Sequence, residues 1–400
     1  MPPWLARTLG GGLLTAAAKE DPSQVSDPTK VDVRPVKAED ADAGPWCKAL
    51  QAQCASAIRE QLKPHQVGVG VPRGCEILVL GTRAKVDEAK RHNHSRVLVL
   101  LDIRNAHNAY CREAAQKAIE DAASKDSTLS PLVHAHTAIS RVYSDVFIRD
   151  PTFNKLSHFT QSRSGGGQGN PLTNIIFPLT INTAIKNTVA AYPDIEIHAQ
   201  QDDMSIFGDP TDIFGPSGDD GALAFLENQL DQLKLEPNRK KYKALTIGTD
   251  LDATSLPPWL DCPFEITDPT LATHVESLEE VADQAEKAAK HNDDQHLQEE
   301  ASRARQCAKQ AKSDVPEEHR SYGVWLCGSA IGDDDYVRLR LKKKTTELWG
   351  DQAKTDPRGK IEKTAQNLMA ESAHVAHSVI YYSLQCRIDW LLATHLPAQT

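Results

Sequence analysis

Asp102 directly follows Arg96–Leu101, an apolar run reading RVLVLL, and Asp202 and Asp203 lie between two further short apolar segments, Ile195–Ala199 and Met204–Phe207. An ionised aspartate at the mouth of a buried strand loses hydration and needs a cation to offset the loss. Three carboxylates brought to one sheet edge would repel one another unless divalent metal stood between them. Such a set suits a two-metal site, in which ions roughly 4 Å apart clamp the attacking and leaving oxygens of a phosphoryl transfer. Hard oxygen donors completed by substrate phosphates point to two Mg²⁺ ions, with Mn²⁺ as their substitute. Taken singly, each aspartate also has a plainer use: Asp-Asp is ordinary turn chemistry, and an aspartate after a strand is a common helix cap.

Gly165–Phe177 reads GGGQGNPLTNIIF, a glycine-rich loop running into a helix. Glycines let a backbone approach a flat or anionic ligand closely, and a helix N-terminus favours anions. The Gly-Lys-Ser/Thr ending of a phosphate-binding ATPase loop is missing. His134 and His136, near the start of a helical pattern, are expected to be surface or packing histidines.

The elements that must position these residues follow from periodicity. Trp46–Leu62 has helical spacing and stops before Pro64. Arg96–Leu101 is a strand buried on both faces. Helices are expected over Ala109–Ala123, Leu129–Val146, Pro171–Ala191 and Ala222–Leu235, a hairpin over Ile195–Phe207, and a closing strand at Lys243–Ile247. That succession describes an α+β layer with helices packed on one face of an antiparallel sheet. Glu20–Ala43 is polar and proline-rich, as in a loop or mobile hairpin. Met1–Ala18, free of acids, reads as a fold-forming strand rather than a targeting peptide. His274–Glu318 is Ala-, Glu-, Gln- and Lys-rich and reads as a solvated helical hairpin. Tyr322–Ile331 is a strand-turn-strand around Gly328, and the chain beyond Asp334 is helical, first basic and then apolar.

Four segments stand in a telling order: Asp102-Ile-Arg-Asn-Ala-His107-Asn, then Gly165-Gly-Gly-Gln168-Gly169-Asn170-Pro171-Leu172, then Gln201-Asp202-Asp203, then Leu235-Glu-Pro-Asn238-Arg-Lys-Lys241. They resemble motifs A to D of reverse transcriptases, most nearly those of non-LTR retrotransposons. Pro64-His-Gln66-Val-Gly68-Val-Gly70 with Gly74-Cys-Glu76 resembles the segment that precedes motif A in such elements. Leu13–Lys19 and Arg34-Pro35-Val36 resemble remnants of the fingers motifs, and Gly323–Gly328 the primer-grip region.

The resemblance implies a right-hand polymerase fold: partial fingers over 1–95, a palm with motifs A to D over 96–267, the helical insertion over 268–320, a primer-grip-like hairpin over 321–333 and a helical thumb over 334–400. It implies RNA-directed DNA polymerase activity, with RNA or DNA template, DNA primer and dNTPs as partners. Asp102, Asp202 and Asp203 would hold the metals and Lys241 would meet the pyrophosphate leaving group. Gln168 and Gly169 would lie beside the incoming base pair, with Ile103 and His107 also on the substrate side and Lys19 and Arg34 reaching the triphosphate. His107 replaces the family's usual aromatic ribose gate, Asn170 a common aspartate, and Gln200 the aromatic two residues before Asp202. The other outcome weighed is a catalytically decayed, nucleic-acid-binding remnant of the same fold. A nucleotide cyclase fits less well, because it gives no role to Gln168–Pro171 or to the Lys241 region.

The 400 residues carry 45 Lys and Arg against 55 Asp and Glu, a net charge of −10 that at first argues against a nucleic-acid partner. The charge is unevenly spread. His274–Glu318 holds twelve acids and six bases, and Asp209–Asp220 four acids and no base. Tyr336–Ala365 holds nine bases to four acids, and Leu233–Leu245 five to one. The basic run Arg338, Arg340, Lys342, Lys343 and Lys344 is either a solvated face or a template-primer surface. Eight scattered cysteines with no two-residue spacing exclude a zinc knuckle and suit an intracellular compartment, cytoplasmic or nuclear. No run of membrane-spanning length is present, and oligomeric state is left open.

Overall fold

A computed structural model describes residues 12–18, 33–38, 43–140, 144–150, 155–167, 169–216, 218–248, 256–290 and 295–350, together with 359 and 395. In chain order the strands are β1 (Gly12–Ala18), β2 (Val33–Ala38), β3 (Arg96–Leu101), β4 (Ile103–Arg104), β5 (Ser144–Asp150), β6 (Lys155–Ser162), β7 (Glu196–Gln200), β8 (Asp203–Gly208), β9 (Glu236–Pro237), β10 (Lys243–Ile247), β11 (Phe264–Ile266), β12 (Arg320–Leu326) and β13 (Ser329–Gly332).

The central sheet has the order β10-β3-β8-β7 and is antiparallel throughout. Its strand β3 is apolar at every position after Arg96 because both of its faces are covered. Val97, Val99 and Leu101 point into the larger core, against the helices Ala43–Leu62, Arg112–Lys125, Ser130–Ser140, Thr173–Ala191 and Ala222–Gln232. Leu98 turns the other way, onto Leu78, Val79 and Val86 of the helix Gly74–Arg91 and onto Val324, Leu326 and Ile331 of the β12–β13 hairpin. Each such buried Val or Leu is worth about 1.5–3 kcal/mol. The expected layering, helices on one face only, is therefore corrected: the second face carries a helix and a hairpin. Arg83 donates to the Ala330 carbonyl at 2.8 Å, and Lys90 to the Gly332 carbonyl and to Asp333, which straps hairpin to helix.

The helix expected over Leu129–Val146 ends at Ser140, and Ser144–Asp150 is instead strand β5. Val146, Phe147 and Ile148 are good strand formers, and pairing with β6 supplies the backbone partners that a local pattern does not reveal. A second sheet, β2-β1-β5-β6, joins 12–38 to 144–162, so the β1–β2 pair near the amino terminus and the hairpin after the helix Ser130–Ser140 share one layer. Strand β11 pairs with β12 and completes a third sheet with β13.

The helices Pro269–Lys290 and Gln295–Ser313 pack on each other through small residues, Ala282, Ala289, Ala301 and Ala308, and Arg305 links them by pairing with Asp283 and Glu286. In the helix Asp334–Trp349, Arg340 and Lys343 both close on Glu265 of β11, a buried carboxylate, while Arg338 pairs with Asp335 and Lys344 with Glu347. Two members of the basic run thus tie this helix to the third sheet, and two more pair within the helix itself. Among the described residues, no helix is long and apolar enough to cross a membrane.

His136 is a packing histidine. It is buried, its Nδ1 lies 2.7 Å from Gln116 Oε1, and burial pushes it down to about 4. Its depressed value means that the unfolded chain takes up this proton first as the pH falls below the model-peptide value, so the stabilisation present at neutral pH is lost on acidification. From pH 7 to pH 5 this one group should cost the wild type about 2 kcal/mol. Urea unfolding of the wild type and of His136→Gln at both pH values checks it: the variant should show a correspondingly shallower loss.

Candidate functional site

The register of the central sheet brings the aspartates together. Leu101 of β3 faces Met204 of β8, so the next position along β3, Asp102, falls opposite Asp203. Asp202 lies one residue further, in the two-residue turn closed by the Gln200–Asp203 pair. All three carboxylates therefore stand at one end of two adjacent inner strands. Asp203 is held above the usual carboxylate range by desolvation and by the negative charges of Asp202 and Asp102. Among the described residues no three His, Cys, Asp or Glu side chains are grouped so as to hold a metal ion by themselves. Three hard carboxylates in mutual repulsion nonetheless suit Mg²⁺, which takes one or two carboxylates at a time and completes its shell with water and substrate phosphate.

Asp102 is oriented from the opposite side by a stretch 136 residues away. Asn238 donates its side-chain amide to Asp102 Oδ2 at 2.8 Å and its backbone N–H to the Asp102 carbonyl at 2.9 Å. The short β4–β9 ladder, Ile103 against Pro237, holds the two segments in register. Lys241 ends the 3₁₀ turn Arg239–Lys241 and places Nζ 3.6 Å from Asp102 Oδ2, with 67% of its side chain exposed. Its ammonium is a counter-charge to Asp102 on a long side chain open to solvent. The turn itself is fixed by Arg239, which forks onto Glu227, reaches Asp219 and lies over the Trp259 ring at 4.7 Å. Asn238 was not among the residues singled out from the sequence; its position directly after Pro237 in the fourth motif is the only local sign of it.

The first two glycines of the glycine-rich loop are required by the protein's own packing. A Cβ on Gly165 would come 2.4 Å from the Asn108 carbonyl carbon, and one on Gly166 would come 2.0 Å from Thr173 Oγ1 and 2.6 Å from the Tyr110 hydroxyl. These two glycines admit the protein's own chain, not a ligand. Gly165 donates to the Tyr110 carbonyl and Gly166 to the His107 carbonyl, so the loop is sewn to the segment after Asp102. Arg112, buried at the head of its helix, donates to the Gly165 carbonyl at 2.8 Å and to Ser162 Oγ at 3.0 Å. Asn170 caps the following turn, its Oδ1 accepting from Leu172 N–H at 2.7 Å. A neutral amide does this where the sequence pattern led one to expect an aspartate.

The remaining candidates are placed as follows. His107 lies against Phe177, ring centroids 4.8 Å apart, on the loop side of Asp102. Gly169 is exposed with φ +110, next to the docked loop. Ile103 is buried at 5% exposure, with its side chain packed in the larger core. Arg34 stands on β2 opposite Ala17, in the second sheet. Lys19 and Gln168 lie outside the described residues.

The tip of the β12–β13 hairpin closes the site on a third side. Cys327 and Gly328 both have positive φ and form its turn. Cys327 is pushed up by a hydrogen bond with Cys75, by burial and by the charges of Asp203 and Asp202, and Cys75 is lowered to about 7 by the same sulfur contact. The hairpin tip therefore lies within the field of the carboxylates.

No family model matches the chain, and no curated protein matches it. Solved structures that resemble it include apo telomerase from Candida tropicalis truncated from the C-terminal domain, with a TM-score of 0.41 and 10% identity over 61% of this chain and 51% of that one. Telomerase from Candida albicans in complex with a TWJ fragment of telomeric RNA gives a TM-score of 0.44 and 10% identity over 63% and 44%. Telomerase from Candida tropicalis with such a fragment gives 0.39 and 10% over 98% and 65%. The chain spans about half the length of the first two.

Proposed function

We propose that this chain is a template-directed nucleotidyl transferase, an RNA-directed DNA polymerase of a retrotransposon-like element. The observation that carries the proposal is the register placing Asp102 and Asp203 opposite each other with Asp202 in the adjoining turn. Four collinear motifs of the reverse-transcriptase kind support it.

In this reading the primer 3′-hydroxyl attacks the α-phosphorus of a dNTP, the bond to the β-phosphate oxygen breaks, and pyrophosphate leaves. Asp102, Asp202 and Asp203 would hold two Mg²⁺ ions, which would supply charge neutralisation for the triphosphate and acidify the attacking hydroxyl. Asn238 holds the Asp102 carboxylate by one oxygen and leaves the other free. Lys241, open to solvent beside Asp102, would meet the leaving pyrophosphate, where an ammonium would offset charge and could donate a proton. The docked glycine-rich loop and the His107–Phe177 pair would form the wall against which the incoming nucleotide and its sugar rest.

Primer extension tests this. Purified protein with oligo(dT)·poly(rA), dTTP and Mg²⁺ is expected to lengthen the primer. Binding of the primer-template without addition would select the decayed remnant, and absence of both would overturn the assignment.

A further inference from the structure

We propose that Gln66 is the positioning residue of the Gln201-Asp202 turn, its side-chain amide setting the backbone from which Asp202 and Asp203 are presented; the proposal rests on the polymerase reading above. Gln66 is 2% exposed. Its Oε1 accepts from the Gln201 backbone N–H at 3.2 Å, and its Nε2 donates to the Gln201 carbonyl at 2.8 Å, across 135 residues of sequence. One side chain thus satisfies both backbone polar groups of Gln201, a turn residue that the β7–β8 ladder leaves unpaired.

The need for such a clamp is conformational. Gln201 has φ +59, the left-handed region, at a hairpin position where glycine is the usual occupant. A non-glycine residue stays there only when its surroundings over-determine it. Here they do so from two sides. The segment around Gln66 pairs with β7 like an added strand, Ala199 N–H donating to the His65 carbonyl at 2.7 Å and Val67 N–H to the Ala199 carbonyl at 2.9 Å. Gly68 follows because a Cβ there would lie 2.8 Å from the Gln201 nitrogen.

The second side comes from Pro178, inside the helix Thr173–Ala191. Proline has no N–H, so the carbonyl four residues earlier, that of Asn174, loses its helical donor. Gln201 Nε2 takes it up at 3.0 Å and also donates to the Gly68 carbonyl at 3.2 Å. The proline in the helix and the glutamine in the turn are complementary: one frees an acceptor, the other fills it. Gln66 holds the backbone of the turn and Gln201 anchors it through its own side chain, so the backbone that carries Asp202 and Asp203 is held from two sides.

Gln66→Met keeps the side-chain volume and removes both hydrogen bonds. Steady-state extension should show kcat lowered about tenfold with KM for dTTP within twofold, because the misplaced carboxylates affect the chemical step and not nucleotide docking. Hydrogen exchange on the same protein without substrate should show faster exchange at the Gln201 amide, with β3 and the interior of β8 still protected. A kcat within twofold of wild type, or unchanged exchange at Gln201, overturns the proposal. Should the wild type add no nucleotide, the polymerase reading fails, and exchange at Gln201 still decides whether Gln66 sets the turn.

Discussion

Replacing Asp203 with asparagine is expected to lower kcat for nucleotide addition by about a thousandfold while raising, not lowering, the urea midpoint. On the proposed reading Asp203 is one of three carboxylates that would hold the metals, and its loss removes several kcal/mol of transition-state stabilisation, about 4 kcal/mol corresponding to three decades in rate. The opposite sign on stability follows from the electrostatics of the ligand-free site. Desolvation and the charges of Asp202 and Asp102 hold Asp203 above its unfolded value. A carboxyl raised in this way favours the fold when protonated, and that contribution is lost as the pH rises through the folded value. At pH 7 the ionised group therefore works against folding, and the neutral amide relieves the repulsion. The gap in midpoint between variant and wild type should shrink toward pH 4, as Asp203 protonates. Activity measured by primer extension and stability measured by urea titration from pH 4 to pH 8 check both halves. A variant that loses activity and stability together would point to a structural role for Asp203 instead.

Gly165→Ala should destabilise the protein by about 2–5 kcal/mol and abolish extension with it. The residue has φ +57, which costs an L side chain about 1–2 kcal/mol, and its new methyl would fall 2.4–2.6 Å from three backbone atoms of Asn108. Backbone cannot yield as a flexible side chain can, so overpacking adds about 1–3 kcal/mol. Relief would require the loop to lift from the His107–Tyr110 segment, breaking the bonds that Gly165 and Gly166 make there and moving the segment that follows Asp102. Gly81→Ala is the control. It lies inside the helix Gly74–Arg91 with open space around it, and alanine there should stabilise by about 0.5–1 kcal/mol. The two midpoints, moving in opposite directions at unchanged m-value, separate clash from mere loss of glycine.

Local pattern was enough for what depends on local chemistry. The unbroken apolar run Arg96–Leu101 announces a strand covered on both faces, and that strand lies inside the central sheet. The acidic turn between two short apolar segments announces a hairpin, which β7 and β8 form. The alanine-rich, charge-laden stretch after His274 announces a helical hairpin, and the helices Pro269–Lys290 and Gln295–Ser313 pack on each other there. Each of these signals is a periodicity or a turn preference, carried by residues within a few positions of one another.

What tertiary structure alone decided lies at long range. The segment Ser144–Ile148 could extend the helix before it or pair as a strand, and the choice went to the partner β6, which propensity does not see. The second face of the sheet was filled by Gly74–Arg91 and a hairpin more than two hundred residues later, contacts with no trace in either segment's own pattern. The glycine-rich loop looked made for a ligand, and its first glycines proved to be made for Asn108 and Thr173, because a missing Cβ reports close approach without saying to what. The sequence by itself singled out three carboxylates as candidates for phosphoryl-transfer chemistry and, through the motif resemblance, a lysine beside them. Their supports, Asn238 on Asp102 and Gln66 on Gln201, could come only from the fold, since each is a hydrogen bond across about 135 residues and an amide in a loop looks the same whether or not it has a partner waiting.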